Sequence, residues 1–282
     1  MIKIKKIKTE IERNNNSNNS FNNETSLFIK LPHEIFHYLL SFLNRKKDDI
    51  KNFYSVSKEI RENFNIEFRD YLFFKIDSSN ANLNDLKNNR YTHIIINNNT
   101  NEEVLDSLYK YEYIKSIKTE DTFENTFSFP PYLETLIFGA KFDKIIWNYP
   151  DNLTTLEFGS CWNGFFYKFP KKLISLKFGH DFNLPIYKFS KSLTNLEFGH
   201  NFNRPICKFP NSLTNLKYGY SFNRHIDDLP SSLIQLEIGK CFDTEIHKIP
   251  QNLKKLILYS KTQLNLLSSD LNLCDVDVII RH

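Results

Sequence analysis

Charged side chains recur every twenty residues in the second half of the chain, and they are the first candidates for chemistry. Glutamate and lysine alternate in one such column: Glu157, Lys177, Glu197, Lys217 and Glu237. Groups at this spacing could read a charged ligand, or they could neutralise one another between neighbouring repeats. We favour neutralisation, because unlike charges on adjacent strands support the correct register.

An uncharged polar column lies two residues before the charged one. Its members are Thr155, Ser175, Asn195, Asn215 and Gln235. Their hydroxyl and amide groups both donate and accept hydrogen bonds, which suits contacts with peptide segments and loops. We therefore predict that the two columns together form the target-binding surface.

Two further columns carry titratable groups. The first holds lysines at Lys168, Lys188, Lys208 and Lys248. Stacked like charges repel unless solvent or an acidic partner compensates, and we favour solvent. The second holds His180 and His200, one repeat apart. Two histidines without a third ligand make a poor zinc site, so we predict no metal.

The sequence contains no motif typical of catalysis. A nucleophile elbow, a phosphate-binding glycine loop and a paired-histidine zinc motif are all missing from it. The four cysteines, Cys161, Cys207, Cys241 and Cys274, show no CxxC spacing. Cys161 and Cys241 lie four repeats apart, about 19 Å, which is too far for a disulfide. We expect reduced cysteines, no cofactor and no enzymatic activity.

Composition and charge limit the partners and the compartment. The net charge of +4, with 25% charged residues, does not call for nucleic acid as a partner. The first eight residues alternate isoleucine with lysine and lack the apolar core of a signal peptide. No apolar run is long enough to cross a membrane. We expect the cytoplasm, or the host cytoplasm if the chain is viral, with the nucleus as the alternative.

A strict period of twenty residues from Pro130 explains this spacing. Leucine recurs at 133, 153, 173, 193, 213, 233 and 253, and again three residues after each of these positions. Glycine recurs at 139, 159, 179, 199, 219 and 239, which uses six of the seven glycines. Such a period is the signature of a solenoid, in which each repeat buries its apolar residues only against its neighbours.

One repeat shows the expected local structure. Residues 193–199 predict a short strand with Leu196 and Phe198 facing inward. Gly199 would end the strand, either in a positive-φ turn or where no side chain fits. Asn203, repeated at 163, 183 and 223, is predicted to turn inward and bond backbone of the next repeat. The return side has too few residues for an α-helix and should be extended or in 3₁₀ turns.

The period also predicts repeats outside the regular block. Leu273, Val276 and Val278 continue the columns downstream. Upstream, Ile114 and Ile117 come nineteen residues before their counterparts, and Tyr91 and Ile94 come twenty-three before those. We therefore expect eight regular and two irregular repeats. The product is a mainly β fold, a right-handed, leucine-rich-repeat-like parallel β-solenoid of 20-residue coils.

The segment 29–75 resembles an F-box. Apolar residues at helical spacing follow a Leu-Pro start, and the matching residues are Leu31, Pro32, Glu34, Ile35, Leu39, Leu40, Leu43 and the triplet Val56-Ser57-Lys58. Ile60 stands where that family usually has tryptophan. The resemblance implies a small α-helical domain that docks the adaptor subunit of a ubiquitin ligase, and thereby a cullin. The docking set would be Leu31, Pro32, Ile35, Leu39, Leu43 and Val56.

The repeats from 129 to 259 resemble FNIP repeats. The shared pattern is Phe-Asn-x-Pro-Ile, seen at Phe182 and Phe202, framed by Pro/Ser-x-Ser-Leu and Leu-x-Phe-Gly. Those repeats occur in amoebae and in giant viruses that infect them, and they often follow an F-box. The resemblance implies a substrate-recognition adaptor of a cullin-type ubiquitin ligase, whose solenoid binds the target. The alternative is a plain interaction scaffold whose helical segment is only an end cap.

Four regions follow from these observations. Residues 1–26 include an Asn/Ser-rich run and are predicted to be a disordered tail. Residues 27–76 are the F-box-like helical domain, residues 77–129 are irregular capping repeats, and residues 130–282 are the regular repeats.

Overall fold

The computed structural model describes residues 73–76, as a strand, and residues 91–281. All of them belong to one unit, Arg69–His282. The predicted tail at 1–26 and the predicted docking residues Leu31, Pro32, Ile35, Leu39, Leu43 and Val56 lie outside the described residues.

The described residues form a single parallel sheet with one strand per coil. Its strand order is the chain order, so every coil returns the chain beside the strand it has just left. The strands are β1 (Phe73–Ile76), β2 (His93–Ile96), β3 (Ser116–Thr119), β4 (Thr135–Ile137), β5 (Thr155–Glu157), β6 (Ser175–Lys177), β7 (Asn195–Glu197), β8 (Asn215–Lys217), β9 (Gln235–Glu237), β10 (Lys255–Leu258) and β11 (Asp277–Ile280). The predicted parallel β-solenoid is therefore confirmed.

The strand register reproduces the sequence period. Leu136, Leu156, Leu176 and Leu196 pair with one another from strand to strand. The upstream repeats are also confirmed, because Ile94 pairs with Ile117, and Ile117 pairs with Leu136. Each strand from β4 to β8 points its central leucine into the core and its two flanking residues outward.

The two ends of the sheet differ from the prediction. At the N-terminal side, β1 pairs Phe74 with Ile94 and adds a strand that the sequence period did not indicate. This strand occupies the last four residues of the range 27–76 that was predicted to be helical.

At the other end, Val278 pairs with Leu256, whereas the twenty-residue period assigned that position to Val276. The 3₁₀ helix Lys261–Leu266 lies in this last coil and accommodates the two extra residues. The continuation of the strict period to 278 was therefore wrong by two residues.

Coil length decides where helices form. The longest coil, between β2 and β3, contains α1 (Glu102–Ser107) followed by a 3₁₀ turn at Leu108–Lys110. The Asn101 side chain caps α1 by accepting a hydrogen bond from the backbone N–H of Glu103 at 2.7 Å. The twenty-residue coils between β4 and β10 return without a helix, as predicted.

The core is a set of ladders of identical side chains. The leucine columns are fully buried, and the phenylalanine rings stack between coils as well as within them. The ring of Phe202 lies 5.9 Å from the ring of Phe182 and 6.2 Å from that of Phe222. Within one coil the rings of Phe198 and Phe202 are 3.9 Å apart. These offset contacts add to the burial of apolar area.

The glycine column is required by space between coils. A Cβ atom on Gly199 would lie 1.7 Å from the carbonyl oxygen of Gly179, and the other glycines of this column meet the preceding coil in the same way. None of these glycines has a φ in the left-handed region. Of the two reasons that the sequence left open, the close approach of neighbouring backbones is the correct one.

The asparagine ladder exists, but it lies on the surface. The side-chain oxygen of Asn183 accepts a hydrogen bond from the backbone N–H of Asn203 at 3.0 Å, and Asn203 does the same for Asn223 at 3.1 Å. The prediction of a bond to the next coil is confirmed. The inward orientation was wrong, because these side chains sit at the corner of the coil and remain partly exposed.

Candidate functional site

The outward side of the sheet, here called the strand face, carries both predicted columns. Thr155, Ser175, Asn195, Asn215 and Gln235 are all partly exposed at the first position of β5 to β9. The amide of Asn215 donates to the side-chain oxygen of Asn195 at 2.6 Å, and that of Asn195 donates to Thr194 at 3.0 Å. Neighbouring side chains therefore hold one another in place.

The charged column is neutralised by its own members over four strands, β6 to β9. Lys217 lies 3.1 Å from Glu197 and 3.7 Å from Glu237, and Lys177 lies 3.6 Å from Glu197. Burial lowers the pKa of Lys217, but the hydrogen bond to Glu197 and the two nearby carboxylates outweigh it and raise that pKa overall. Among the described residues Glu157 has no ion-pair partner, so pairing begins only at Lys177.

Glu237, a predicted target-binding residue, is closed off by the last coils. Its side chain is buried, with only 4% of its surface exposed. The hydroxyl of Tyr259 donates to it at 2.6 Å, and Arg281 lies 3.1 Å away. Burial and the hydrogen bond to Glu237 raise the pKa of Tyr259. Glu237 is therefore less open to a target than the other members of its column, because partners from two later coils bind its oxygens. Its role as a target contact stays a prediction.

A shallow groove runs beside the charged column. Its volume is about 340 Å³, and its lining includes Lys177 and Glu197 on one side and His180 and His200 on the other. Gly179 and Gly199 lie between these two rims and have no side chain to fill the space. The strand face therefore continues past the glycines to the next corner of the coil.

The histidines form a surface stack that extends to a tyrosine. The rings of His180 and His200 are 4.5 Å apart, and His200 lies 4.6 Å from the ring of Tyr220. The Nδ1 of His180 is 2.7 Å from Asp181, and that of His200 is 2.9 Å from Asn201. No group of three His, Cys, Asp or Glu side chains suited to a metal occurs in the part of the chain that the structure describes.

The opposite side of the coil, here called the return face, carries the lysine column. Lys168, Lys188, Lys208 and Lys248 are exposed there. The structure also shows a feature that the sequence reasoning missed: an aromatic residue directly precedes two of these lysines. Trp147, Tyr167 and Tyr187 form a column that is 62%, 60% and 76% exposed, respectively. Their twenty-residue spacing was the signal that could have revealed them.

The four cysteines are free and exposed. A hydrogen bond to Cys241 raises the pKa of the surface residue Tyr220. No helix among residues 91–281 is long and apolar enough to cross a membrane.

The comparison with protein-family models agrees with the repeat pattern. Residues 206–241 match the model of the FNIP repeat family, within the range where the sequence resembles such repeats. A solved structure titled "The crystal structure of CroV588 a novel circular LRR protein structure" is 31% identical, with a TM-score of 0.49. The match covers 59% of this chain and only 30% of that one. No curated protein matched the chain.

The parallel one-strand coils define the class as a repeat solenoid, and residues 206–241 of it match the FNIP repeat model. Solenoids of this kind are typical of binding scaffolds.

Proposed function

We propose that this solenoid is a protein-interaction scaffold that holds a target on its strand face. The observation that carries the proposal is the groove between the charged column and the histidine corner. Its polar lining includes Lys177, Glu197, His180 and His200. Lys177 pairs with Glu197 at 3.6 Å, and the two histidine rings stack 4.5 Å apart, so these side chains hold one another in place. Side chains fixed in this way lose little conformational entropy when a partner binds.

The dimensions of the strand face limit how a target can bind to it. Strands β5 to β9 span about 19 Å, and three residues of strand span about 10 Å. That strip is small compared with the roughly 800 Å² that each partner contributes to a stable interface. A bound target must therefore also contact a flanking corner, and the groove leads to the corner that carries His180 and His200.

The more specific form of the proposal is that the chain is a substrate-recognition adaptor of a cullin-type ubiquitin ligase. It is supported by the resemblance of residues 29–75 to an F-box, whose docking set would be Leu31, Pro32, Ile35, Leu39, Leu43 and Val56. The FNIP match adds support, because such repeats often follow an F-box. In this role the helical segment binds the ligase adaptor, and the strand face presents the target to the conjugating enzyme.

The ligase role is tested by a binding assay with purified ligase adaptor subunit. Leu31→Ala combined with Pro32→Ala should abolish binding of the full chain to the adaptor, while its circular dichroism spectrum stays unchanged. A wild-type chain that does not bind the adaptor, or a double variant that still binds it, would leave the plain scaffold as the function.

The strand face is tested separately by comparing the proteins that co-purify with the chain from amoebal cells. Ser175→Arg with Asn195→Arg places two long side chains on the strand face. Asn211→Arg adds the same group at an exposed corner. We expect the double variant to lose at least one protein that the wild type and Asn211→Arg both retain. Identical sets of proteins from all three chains would refute the assignment of this face.

A further inference from the structure

The return face carries an apolar patch that folding of the described residues leaves uncovered. Trp147 and Tyr167 stack with their rings 4.5 Å apart, and Ile145 and Phe165, two residues before them, are about half exposed. Contiguous apolar surface of this kind marks interaction sites, whereas scattered exposed residues do not. The patch is confined to three successive coils. In the next coils the same column reads Cys207, Asp227 and His247.

Two grooves cut into this patch, one between the coils of Phe129 and Tyr149 and the other between the coils of Tyr167 and Tyr187. The larger, about 700 Å³, has Phe166, Phe182 and Phe189 in its lining. Lysines also line it, at Lys168, Lys171, Lys188 and Lys191. The other, about 660 Å³, is lined by Ile145, Trp147 and Tyr149, among others. Each groove can receive an apolar side chain, and the larger one offers ammonium groups around it.

Most of these ammonium groups have no counter-ion in the structure. Lys168, Lys188 and Lys191 make no ion pair with any residue in the described ranges. Lys171 lies 3.4 Å from Asp151, but both side chains are about two-thirds exposed, so the pair is weak. The larger groove is therefore an apolar depression with excess positive charge.

We infer that this patch binds an acidic segment of a partner protein, one that carries aromatic or leucine side chains among its carboxylates. The apolar side chains would fill the two grooves, and the carboxylates would face Lys168, Lys188 and Lys191. The grooves lie about two coils apart, or roughly 10 Å. Three residues of an extended segment, or seven residues of a helix, span that distance.

The same observations disfavour a nucleic acid. Bases stack on open aromatic faces, and the stacked rings of Trp147 and Tyr167 each cover one face of the other, which reduces the aromatic surface open to bases. The later coils of the return face carry Asp227 and Asp228, and a phosphate backbone continuing along the solenoid would meet their charge. A short acidic peptide fits within the three coils and avoids that repulsion.

The test selects a phage-displayed library of random 12-residue peptides on the full-length chain and measures the enriched peptides by fluorescence. Trp147 is the reporter, because it is exposed while the other tryptophan, Trp162, is fully buried. Enriched sequences should combine Asp or Glu with Phe, Trp or Leu, and binding should shift the Trp147 emission to the blue. Lys168→Glu with Lys188→Glu should weaken binding at least tenfold. The matched control, Lys248→Glu, changes the same column outside the patch and should leave binding unchanged.

Three results would overturn the inference: no enrichment of acidic peptides, equal binding by the double variant, or tighter binding of a dT12 oligonucleotide than of any selected peptide. Circular dichroism of both variants shows whether a loss of binding reflects unfolding. The outcome is independent of the strand face, because Ser175→Arg with Asn195→Arg leaves this patch unchanged. That variant should therefore bind the peptides like the wild type.

Discussion

The strand face and the return face are built from the same repeat, yet the polar side chains are paired on the first and largely unpaired on the second. On the strand face, Lys217 and Glu197 pair, and the amides of Asn195 and Asn215 bond to one another. On the return face, Lys168 and Lys188 are unpaired within the described residues, and they lie beside exposed aromatic rings.

The difference follows from strand geometry. Parallel strands place equivalent residues about 4.8 Å apart in a fixed register, so alternating charges must meet their counter-ions. In the described coils the return side has no sheet, and one of its columns carries Lys168, Lys188 and Lys208 in succession. The same repeat can therefore fix the polar side chains of the strand face by mutual contacts and leave lysines and aromatic rings on the return face free to bind a partner. Each prediction below tests one side of this comparison against the other.

The largest expected effect concerns the glycine column. In Gly199→Ala the new Cβ would lie 1.7 Å from the carbonyl oxygen of Gly179, so two coils must separate. We expect a loss of more than about 4 kcal/mol in the free energy of unfolding, a size reserved for severe core disruption. Urea denaturation measures it.

The control for that change is Gly164→Ala on the return side. There the nearest atoms, 3.0 Å from the new Cβ, belong to the side chain of Trp162, not to backbone. We expect a change within about 1 kcal/mol. Equal losses for the two variants would contradict the account of coil spacing.

The second prediction concerns the buried carboxylate at the end of the strand face. Tyr259→Phe removes the hydroxyl that donates to Glu237 at 2.6 Å. Hydrogen bonds to charged groups contribute about 1.5–3 kcal/mol, so we expect a loss of about 2 kcal/mol in urea denaturation. Tyr220→Phe, at an exposed tyrosine, is the control and should have little effect. A loss below about 0.5 kcal/mol for Tyr259→Phe would mean that Arg281 and Lys217 satisfy the carboxylate without the tyrosine.

The third prediction concerns the asparagine ladder at the corner between the two faces. Asn203→Leu removes the acceptor of the Asn223 backbone N–H. The site is only partly buried, so water replaces some of the bond, and we expect a loss of about 1 kcal/mol. In Asp243→Leu only the bond from the Asn223 side chain is lost, and the effect should be smaller. The urea midpoints of the two variants decide between a ladder and a set of unimportant turn residues.

The fourth prediction concerns Tyr149, which lines the smaller groove of the return face. Its hydroxyl is buried and has no hydrogen-bond partner among the described residues, and burial raises its pKa well above the usual value of 10.0. Tyr149→Phe should therefore stabilise the chain by about 1 kcal/mol.

A pH series checks the cause. In the wild type the unfolded tyrosine ionises above about pH 10, whereas the folded one stays protonated, so stability falls as pH rises beyond that point. The advantage of Tyr149→Phe should therefore grow above pH 10. A constant difference across pH would show that the hydroxyl is solvated in the folded state.

The smallest expected effect is at the exposed patch. Tyr167→Ser and Tyr187→Ser should each change the free energy of unfolding by less than about 0.5 kcal/mol, since both side chains are largely in water. A loss above about 1.5 kcal/mol in the free energy of unfolding would show that these rings stabilise the fold, which would argue against a role limited to binding a partner. Thermal unfolding of the two variants beside the wild type provides the measurement.

Much of this fold could be predicted from the sequence, because the period repeats without gaps. A column that recurs every twenty residues must occupy one line along a solenoid, so Leu196 and Phe198 had to face inward and Asn195 and Glu197 outward. The same logic predicted the pairing of Lys217 with Glu197. The local pattern was sufficient to predict a residue's orientation and partners wherever its neighbours came from adjacent coils of the same sequence pattern.

Tertiary structure alone decided what happens where the period breaks. Glu237 looked like any other member of its column, but Arg281, forty-four residues later, folds over it. The last coil gained two residues, so the pairing of Val278 depended on how the 3₁₀ helix packed. Phe165, Phe166 and Tyr167 are consecutive aromatic residues. The path of the backbone on the return side exposes Phe165 and Tyr167 to water and turns Phe166 toward the core, and the sequence did not indicate which would be which. A sequence period specifies the contacts between equivalent residues of neighbouring repeats. The exposure of side chains on the return side and the contacts at the ends of the sheet depend on chain segments that do not follow the period.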